Sequence, residues 1–323
     1  MRILAILNPI SGNRDTEFLK QELYKAFDGH DFEMHETTQA LEAINISRKA
    51  AENNFDIVIA AGGDGTIIEV ISGIIGTKTK LGIIPYGTGN MLAGNLGIPV
   101  NNLTRAIEII LEGSSTPIDI GKINDKYFAF MAGCGFDAKI IDETSREKKK
   151  RLGLLAYYIE GVMQFFRSKY ALFKIRLDNN KIIKTRALTV IIANSAGILG
   201  NMASLAPQAS LNDGLLDVII ISPKGISGTL QVLWEIIFRT PRDTRSKIRH
   251  YQAKDIEIKS KPSLLVQADG DIIGKTPVKI QILPGAIEVL APEQPKNELL
   301  QIAEDHLRKM IDLASDYIKI NIS

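Results

Sequence analysis

The rhythm of apolar and polar positions changes near residue 120. Before it, short apolar runs alternate with helical spacing: Ile3 to Leu7 and then a helix from about Thr16, Asp56 to Ala61 and then a helix after Gly65, Leu81 to Pro85 and then a helix after Thr88. Strands alternating with helices predict a parallel sheet covered by helices. Ile57 to Ala61 is apolar at every position, as a strand buried on both faces must be, and is expected at the sheet centre.

After Pro117 the pattern is strand upon strand: Tyr127 to Ala132, Leu172 to Leu177, Ala187 to Ala193, Leu216 to Ile221, Asp255 to Lys259, Leu264 to Ala268, Val278 to Leu283 and Ile287 to Leu290. This predicts a β-sandwich or flattened barrel. Helical spacing interrupts it at 151–167 and 225–238. It returns from Asn297 to about Ile318, where Leu300, Ala303, Leu307, Met310, Ile311 and Ala314 share a face. The expected organisation is an α/β domain over 1–120, a β-sandwich domain over 121–292, and a closing helix within 293–323. That helix packs back on the first domain or, alternatively, makes a homodimer contact.

Composition narrows the classes. With 323 residues and 45% hydrophobic content the chain can bury two cores. Cys134 is the one cysteine, which excludes an intrachain disulfide, and His30, His35, His250 and His306 show no metal-ligand spacing. The apolar start, Ile3 to Leu7, is too short for a signal-peptide core, and no run reaches the length of a membrane span. A cytoplasmic protein with at most peripheral lipid contact is expected. Net charge is +2, yet residues 146–186 hold twelve Lys/Arg against three acids, and 239–254 hold six against one. These segments are expected to meet an anionic partner or, alternatively, to form a solvated basic face. Nucleic acid is not favoured, since no stacking motif or recognition helix accompanies these cations.

The strongest local chemistry is Gly62-Gly63-Asp64-Gly65-Thr66, between a strand and a helix. Glycines let backbone N–H groups approach a phosphate, and the helix N-terminus that follows favours negative charge. Pro85-Tyr86-Gly87-Thr88-Gly89-Asn90 and Asn8-Pro9-Ile10-Ser11-Gly12-Asn13 occupy the same place after two other strands. In open α/β sheets that edge is the ligand crevice, so the loops are expected to converge on one nucleotide. None has dinucleotide G-x-G-x-x-G spacing, and Gly270 to Thr276, which imitates a P-loop, is one residue short and meets Pro277 where a helix should begin. Within it, Asp269-Gly270-Asp271 offers two carboxylates at a turn. Either could serve an acceptor hydroxyl, or both could belong to an ordinary hairpin.

Taken together, Asn8-Pro9-x-Ser11-Gly12, Gly62 to Thr66, Pro85-x-Gly87-Thr88-x-Asn90, Asp213-Gly214-x-Leu216-Asp217 and Asp269-Gly270-Asp271 resemble the diacylglycerol kinase catalytic-domain superfamily, in particular its bacterial soluble lipid kinases of the YegS type. The similarity runs from the first strand to about Pro292. It implies an NAD kinase/diacylglycerol kinase-like fold with the cleft between its two domains, and an ATP- and Mg2+-dependent kinase acting on a lipid hydroxyl such as that of diacylglycerol. By position it assigns ATP contacts to Asn8, Pro9, Ile10, Ser11, Gly12, Thr37, Gly62, Gly63, Asp64, Gly65, Thr66, Ile67, Ile68 and Thr88, with Thr38 adjacent to Thr37. It assigns magnesium to the Asp213 carboxylate and the carbonyls of Ser210 and Leu215, whose hard oxygens suit that ion. Asp271 matches the proton acceptor and Asp269 the acid before it.

The chain departs from the family at four places. Asp271 stands where Glu is common, Asn13 where Lys is common, Ile68 where Asn is common, and Met91 where Asp is frequent. These departures motivate one alternative, a catalytically weak lipid-binding regulator. The other is an NAD kinase, although the chain lacks that family's Gly-Thr-Pro-Thr-Gly-Ser-Thr-Ala stretch. Lys148 to Arg151, ahead of the apolar set Leu154 to Phe166, is the expected contact with an anionic membrane surface.

Overall fold

The computed structural model describes residues 1–12, 15–135, 170–178, 181–195, 209–223, 228 and 247–292. The first half alternates as its pattern requires: β1 (Arg2–Leu7), α1 (Thr16–Ala26), β2 (Asp31–Glu36), α2 (Glu42–Glu52), β3 (Ile57–Gly62), α3 (Asp64–Ile74), β4 (Lys80–Pro85), α4 (Met91–Asn95) and α5 (Leu103–Glu112). The rest is strand: β5 (Ser115–Ile123), β6 (Lys126–Phe128), β7 (Met131–Cys134), β8 (Ala171–Leu177), β9 (Lys181–Ala187), β10 (Thr189–Ala193), β11 (Leu216–Ile221), β12 (Ile248–Ala253), β13 (Asp255–Lys261), β14 (Leu265–Ala268), β15 (Asp271–Lys275) and β16 (Val278–Leu290).

β1 to β4 are mutually parallel, with β3 between β1 and β4 and buried at every position. Its apolar run therefore packs on both faces, as expected. On one side α3 supplies Ile67, Val70, Ile71 and Ile74, spaced as one helical stripe and all buried. Full burial of each such side chain is worth about 2 kcal/mol.

The parallel strands are part of a larger sheet. Its order is β2-β1-β3-β4-β16-β13-β8-β9, ten-stranded once β5 and β6 are counted. A second, six-stranded sheet has the order β12-β11-β10-β7-β14-β15 and is antiparallel throughout. The sandwich core lies between the two, where Phe173, Ile175 and Ile258 meet Val190, Val218 and Val266. Met1–Ala291 forms one compact unit; of the other, Pro292–Ser323, only Pro292 is described. The expected helices at 151–167, 225–238 and 293–323 lie outside the described residues.

Two strands differ from their pattern. Ala187 to Ala193 is not one strand: Leu188 separates β9 from β10, and these belong to different sheets. Conversely, Val278 to Leu283 and Ile287 to Leu290 are a single strand, β16, whose register against β5 shifts across Pro284-Gly285. A Pro-Gly pair reads as a chain reversal, but an antiparallel pair can absorb it as a bulge.

Candidate active site

Because β1, β3 and β4 are adjacent and parallel, their C-terminal loops emerge side by side, and they are laced together. Asn8 donates its main-chain N–H to the Ala61 carbonyl at 3.0 Å and its side-chain amide to Thr66 Oγ1 at 3.1 Å. The Asn8 carbonyl and Oδ1 accept the N–H groups of Ser11 and Ile10, both at 3.1 Å, which folds Pro9 to Ser11 into a tight turn. Gly12 has φ +77°, and a Cβ there would lie 2.4 Å from the Tyr86 carbonyl oxygen, so only glycine fits under the third loop. Thr37 is buried at the end of β2, its N–H on the Leu7 carbonyl at 2.9 Å, whereas Thr38 is exposed and bonds Glu42.

The N-terminus of α3 faces these loops without a side-chain cap at Gly63, whereas Asp15 and Asn102 cap α1 and α5. The first main-chain bond of α3 runs from the Ile67 N–H to the Gly63 carbonyl. Its first turn therefore presents main-chain donors that no side chain caps. Gly65 is exposed and a Cβ on it would meet nothing within 4 Å, while one on Gly87 would lie 2.4 Å from the Gly63 Cα. The Gly63 and Gly87 backbones thus nearly touch, and Gly65 fronts open space. Thr66 and Ile67 point inward, so their share in any ligand contact is main chain; Ile68 is half-buried and Thr88 is exposed on the facing loop.

Asp64 is half-buried at the start of α3. Its Oδ1 accepts the Leu92 N–H at 3.2 Å, fixing the start of α4 to the glycine loop. Burial raises its pKa above the ordinary value, against the opposing effect of the Leu92, Met91 and Asn90 amides.

The Asp269-Gly270-Asp271 turn joins β14 to β15. Asp269 is left-handed at φ +46°, and its carboxylate accepts three successive main-chain N–H groups: Ala129 at 2.6 Å, Phe130 at 3.0 Å and Met131 at 2.9 Å. The residue is only half-buried, but this enclosure desolvates its carboxyl. Burial pushes its pKa up to about 6 despite the three amides, and the Asp64 charge adds to the rise. The glycine loop and this turn are therefore within electrostatic reach of one another. Asp271 is exposed at the head of β15, opposite Ala268.

Ser210, Asp213 and Leu215 lie on the loop before β11, where Asp213 Oδ1 accepts the Leu215 N–H at 2.9 Å. Partial burial, then the charges of Asp217 and Asp119, hold the Asp213 carboxyl above the usual range. Asp217 is fully buried against the His250 ring. Sequence reasoning missed Asp119 and Asn194. Asp119, buried in β5, accepts the N–H groups of Gly214 at 2.6 Å and Gly285 at 2.7 Å. Asn194 donates to the carbonyls of Asp119 at 2.8 Å and Ala129 at 2.9 Å. A hydrogen-bonded path thus runs from the 210–215 loop through Asp119 and Asn194 to the 129–131 segment that holds Asp269. Its sequence signal was a lone acid in Pro117-Ile118-Asp119-Ile120 and an amide just past an apolar strand.

Among the described residues no group of three or more His, Cys, Asp or Glu is arranged to hold a metal, and no helix is long and apolar enough to cross a membrane. Asn13 and Lys148 to Arg151 lie outside the described residues.

Comparison with known proteins decides the family. The model of the diacylglycerol kinase catalytic domain matches residues 2–123, and that of the YegS C-terminal NAD kinase β-sandwich-like domain matches residues 131–291. A diacylglycerol kinase of Staphylococcus aureus is 34% identical over 313 residues, 95% of this chain and 97% of the relative. The chain belongs to the diacylglycerol kinase family. A crystal structure of a diacylglycerol kinase from Bacillus anthracis str. Sterne, 25% identical, superposes with a TM-score of 0.71 over 90% of this chain and 97% of that one. An NAD kinase from Archaeoglobus fulgidus, solved in complex with ATP, shares the fold alone, at 15% identity and a TM-score of 0.51 over 90% of this chain and 94% of that one. As a member of this family the protein is a lipid kinase, a phosphotransferase acting on a lipid alcohol.

Proposed function

We propose that this enzyme transfers the γ-phosphoryl group of ATP to the hydroxyl of a lipid such as diacylglycerol, with Mg2+, on the surface between the glycine loops and the Asp269-Gly270-Asp271 turn. The observation that carries this reading is the division of labour at that turn. Both oxygens of Asp269 are taken up by main-chain amides, while two residues on Asp271 is free in solvent. Asp269 fixes the turn, and Asp271 accepts the proton.

In this scheme the ATP phosphates lie on the amides of the first turn of α3, with the Asn8 to Gly12 turn, Thr37 and Thr88 around the nucleotide. The lipid oxygen attacks the γ-phosphorus, the bond from phosphorus to the ADP oxygen breaks, and the hydroxyl proton passes to the Asp271 carboxylate. A loose transition state leaves the protein mainly positioning and charge stabilisation. The missing methylene of Asp271, relative to the Glu common in the family, requires the acceptor hydroxyl to sit nearer β15.

The 210–215 loop fits magnesium in kind. Its donors are hard oxygens, the Asp213 carboxylate with the Ser210 and Leu215 carbonyls, and the Asp119 and Asp217 charges that disfavour ionised Asp213 are the crowding a cation relieves. When bound there, the ion supplies positive charge that orders this loop. Peripheral contact with an anionic membrane surface belongs to the same reading, since the acceptor resides in a bilayer.

The test is transfer of labelled phosphate from ATP to a panel of lipid alcohols, with NAD as a further acceptor. Labelled diacylglycerol product is expected, and labelled NADP without any labelled lipid would overturn the reading. Asp271→Asn should lower turnover by about 10²- to 10⁴-fold with unfolding unchanged. Asp269→Asn should instead lower stability, because its amide NH2 would face main-chain donors.

A further inference from the structure

The solvent face of β9, β8 and β13 carries a charge pattern that the catalytic site does not use. Register sets its rows: Arg186, Leu172 and Lys261 lie side by side, then Lys184, Lys174 and Lys259, then Ile182, Arg176 and Glu257. Six of these nine positions are Lys or Arg and one is acidic. That acid is already shared, since Glu257 pairs with Arg176 and with Lys259 at 2.9 Å. Lys174, Lys184, Arg186 and Lys261 have no acidic partner among the described residues, although Arg186 lies 5.3 Å over the Tyr170 ring.

Like charges directly opposite on neighbouring strands destabilise a sheet, so the lysine row across three strands is a cost within the fold. Protection of a sheet edge explains lysines on the terminal strand β9. It does not explain Lys174 and Lys259, which lie on interior strands. Nor does it explain Leu172 and Ile182, whose side chains stand 58% and 54% exposed among the cations, where an edge guarded against aggregation would carry none. Cations interleaved with bare aliphatic side chains on one sheet face match an anionic interface with hydrocarbon beneath it. They match a nucleic acid poorly, because a phosphate backbone has no use for Leu172 or Ile182.

We infer that this sheet face is a docking surface for an anionic phospholipid bilayer. The inference rests on the lipid-kinase reading only in its choice of partner.

The test uses the full chain and co-sedimentation with phosphatidylcholine vesicles, with and without phosphatidylserine. Each cation near such a surface contributes roughly fivefold in partition, so the triple variant Lys174→Gln, Lys184→Gln, Lys259→Gln should bind the anionic vesicles roughly a hundredfold more weakly. Its melting temperature should be equal or higher, since like charges are removed. Leu172→Ser with Ile182→Ser should weaken vesicle binding while leaving heparin binding unchanged. Undiminished vesicle binding by the triple variant would overturn the inference, as would parent binding that ignores phosphatidylserine, or a parent that binds heparin but no vesicle. Phosphorylation of a short-chain diacylglycerol in non-ionic detergent should be the same in parent and triple variant. Loss of that activity from both, with vesicle binding intact, would count against the proposed reaction and leave the docking surface standing.

Discussion

The buried carboxylate of Asp119 accepts the Gly214 N–H at 2.6 Å, tying the first strand after the helices to the loop that carries Asp213. Its other oxygen accepts the Gly285 N–H at the bulge of β16. Asp119→Asn keeps the shape but turns one acceptor into a donor facing a main-chain N–H. Stability should fall by about 2 kcal/mol or more, read as a lower urea midpoint with an unchanged slope. Wild-type stability in this variant would mean that these contacts do not hold the loop.

Gly65→Ala and Gly87→Ala should separate folding from ligand binding. Gly65 is in the first turn of α3 and fronts open space, so alanine there should leave stability equal or raise it by up to about 1 kcal/mol. The same methyl occupies the room above the helix amides, and affinity for ATP should drop severalfold or more by calorimetry. Gly87→Ala instead forces two backbones apart and should lower both stability and affinity. Unaltered ATP affinity in Gly65→Ala would remove the phosphates from this helix terminus.

Electrostatic coupling between the two halves of the site can be read from Asp269. Its raised value, about 6 against an ordinary 3.8, means its contribution to stability is complete below 3.8 and is lost as pH rises through about 6. Replacing Asp64 with Asn removes a charge that raises it, so the Asp269 carboxyl resonance should titrate at lower pH in Asp64→Asn. A titration unmoved by that substitution would place the glycine loop and the turn out of reach of each other.

Magnesium can be examined without turnover. If the 210–215 loop holds the ion, Mg2+ should raise the melting temperature of the parent, and the rise should vanish in Asp213→Asn. An equal rise in both proteins would put the ion elsewhere.

Much of this was legible because burial leaves period and glycine leaves gaps. Ile57 to Ala61 announced a central strand, and Gly62 to Thr66 announced the helix terminus that follows it. β2 was not legible: Asp-Phe-Glu-Met-His-Glu is an edge strand with no fully buried position, so no apolar run marks it. Asp119 and Asn194 were missed for a different reason. Each is a single polar residue beside an apolar run, and its value lies in partners far along the chain, such as Gly285, which no local pattern contains. The contrast between Asp269 and Asp271 was drawn by the family resemblance alone, because in local pattern two carboxylates two residues apart look alike until the amides of 129–131 are placed around one of them.

β16 has a consequence for motion. Thirteen residues of continuous strand reach about 40 Å, and along that length it pairs with β13 and β5 and, at Val289, with Leu81 of β4. The same shaft thus joins the start of β4 in the parallel sheet to the sandwich, and a hinge between them would have to break its ladder. Substrate entry should therefore depend on local rearrangement of loops, with β4, β5, β13 and β16 exchanging their amide hydrogens as one slow block.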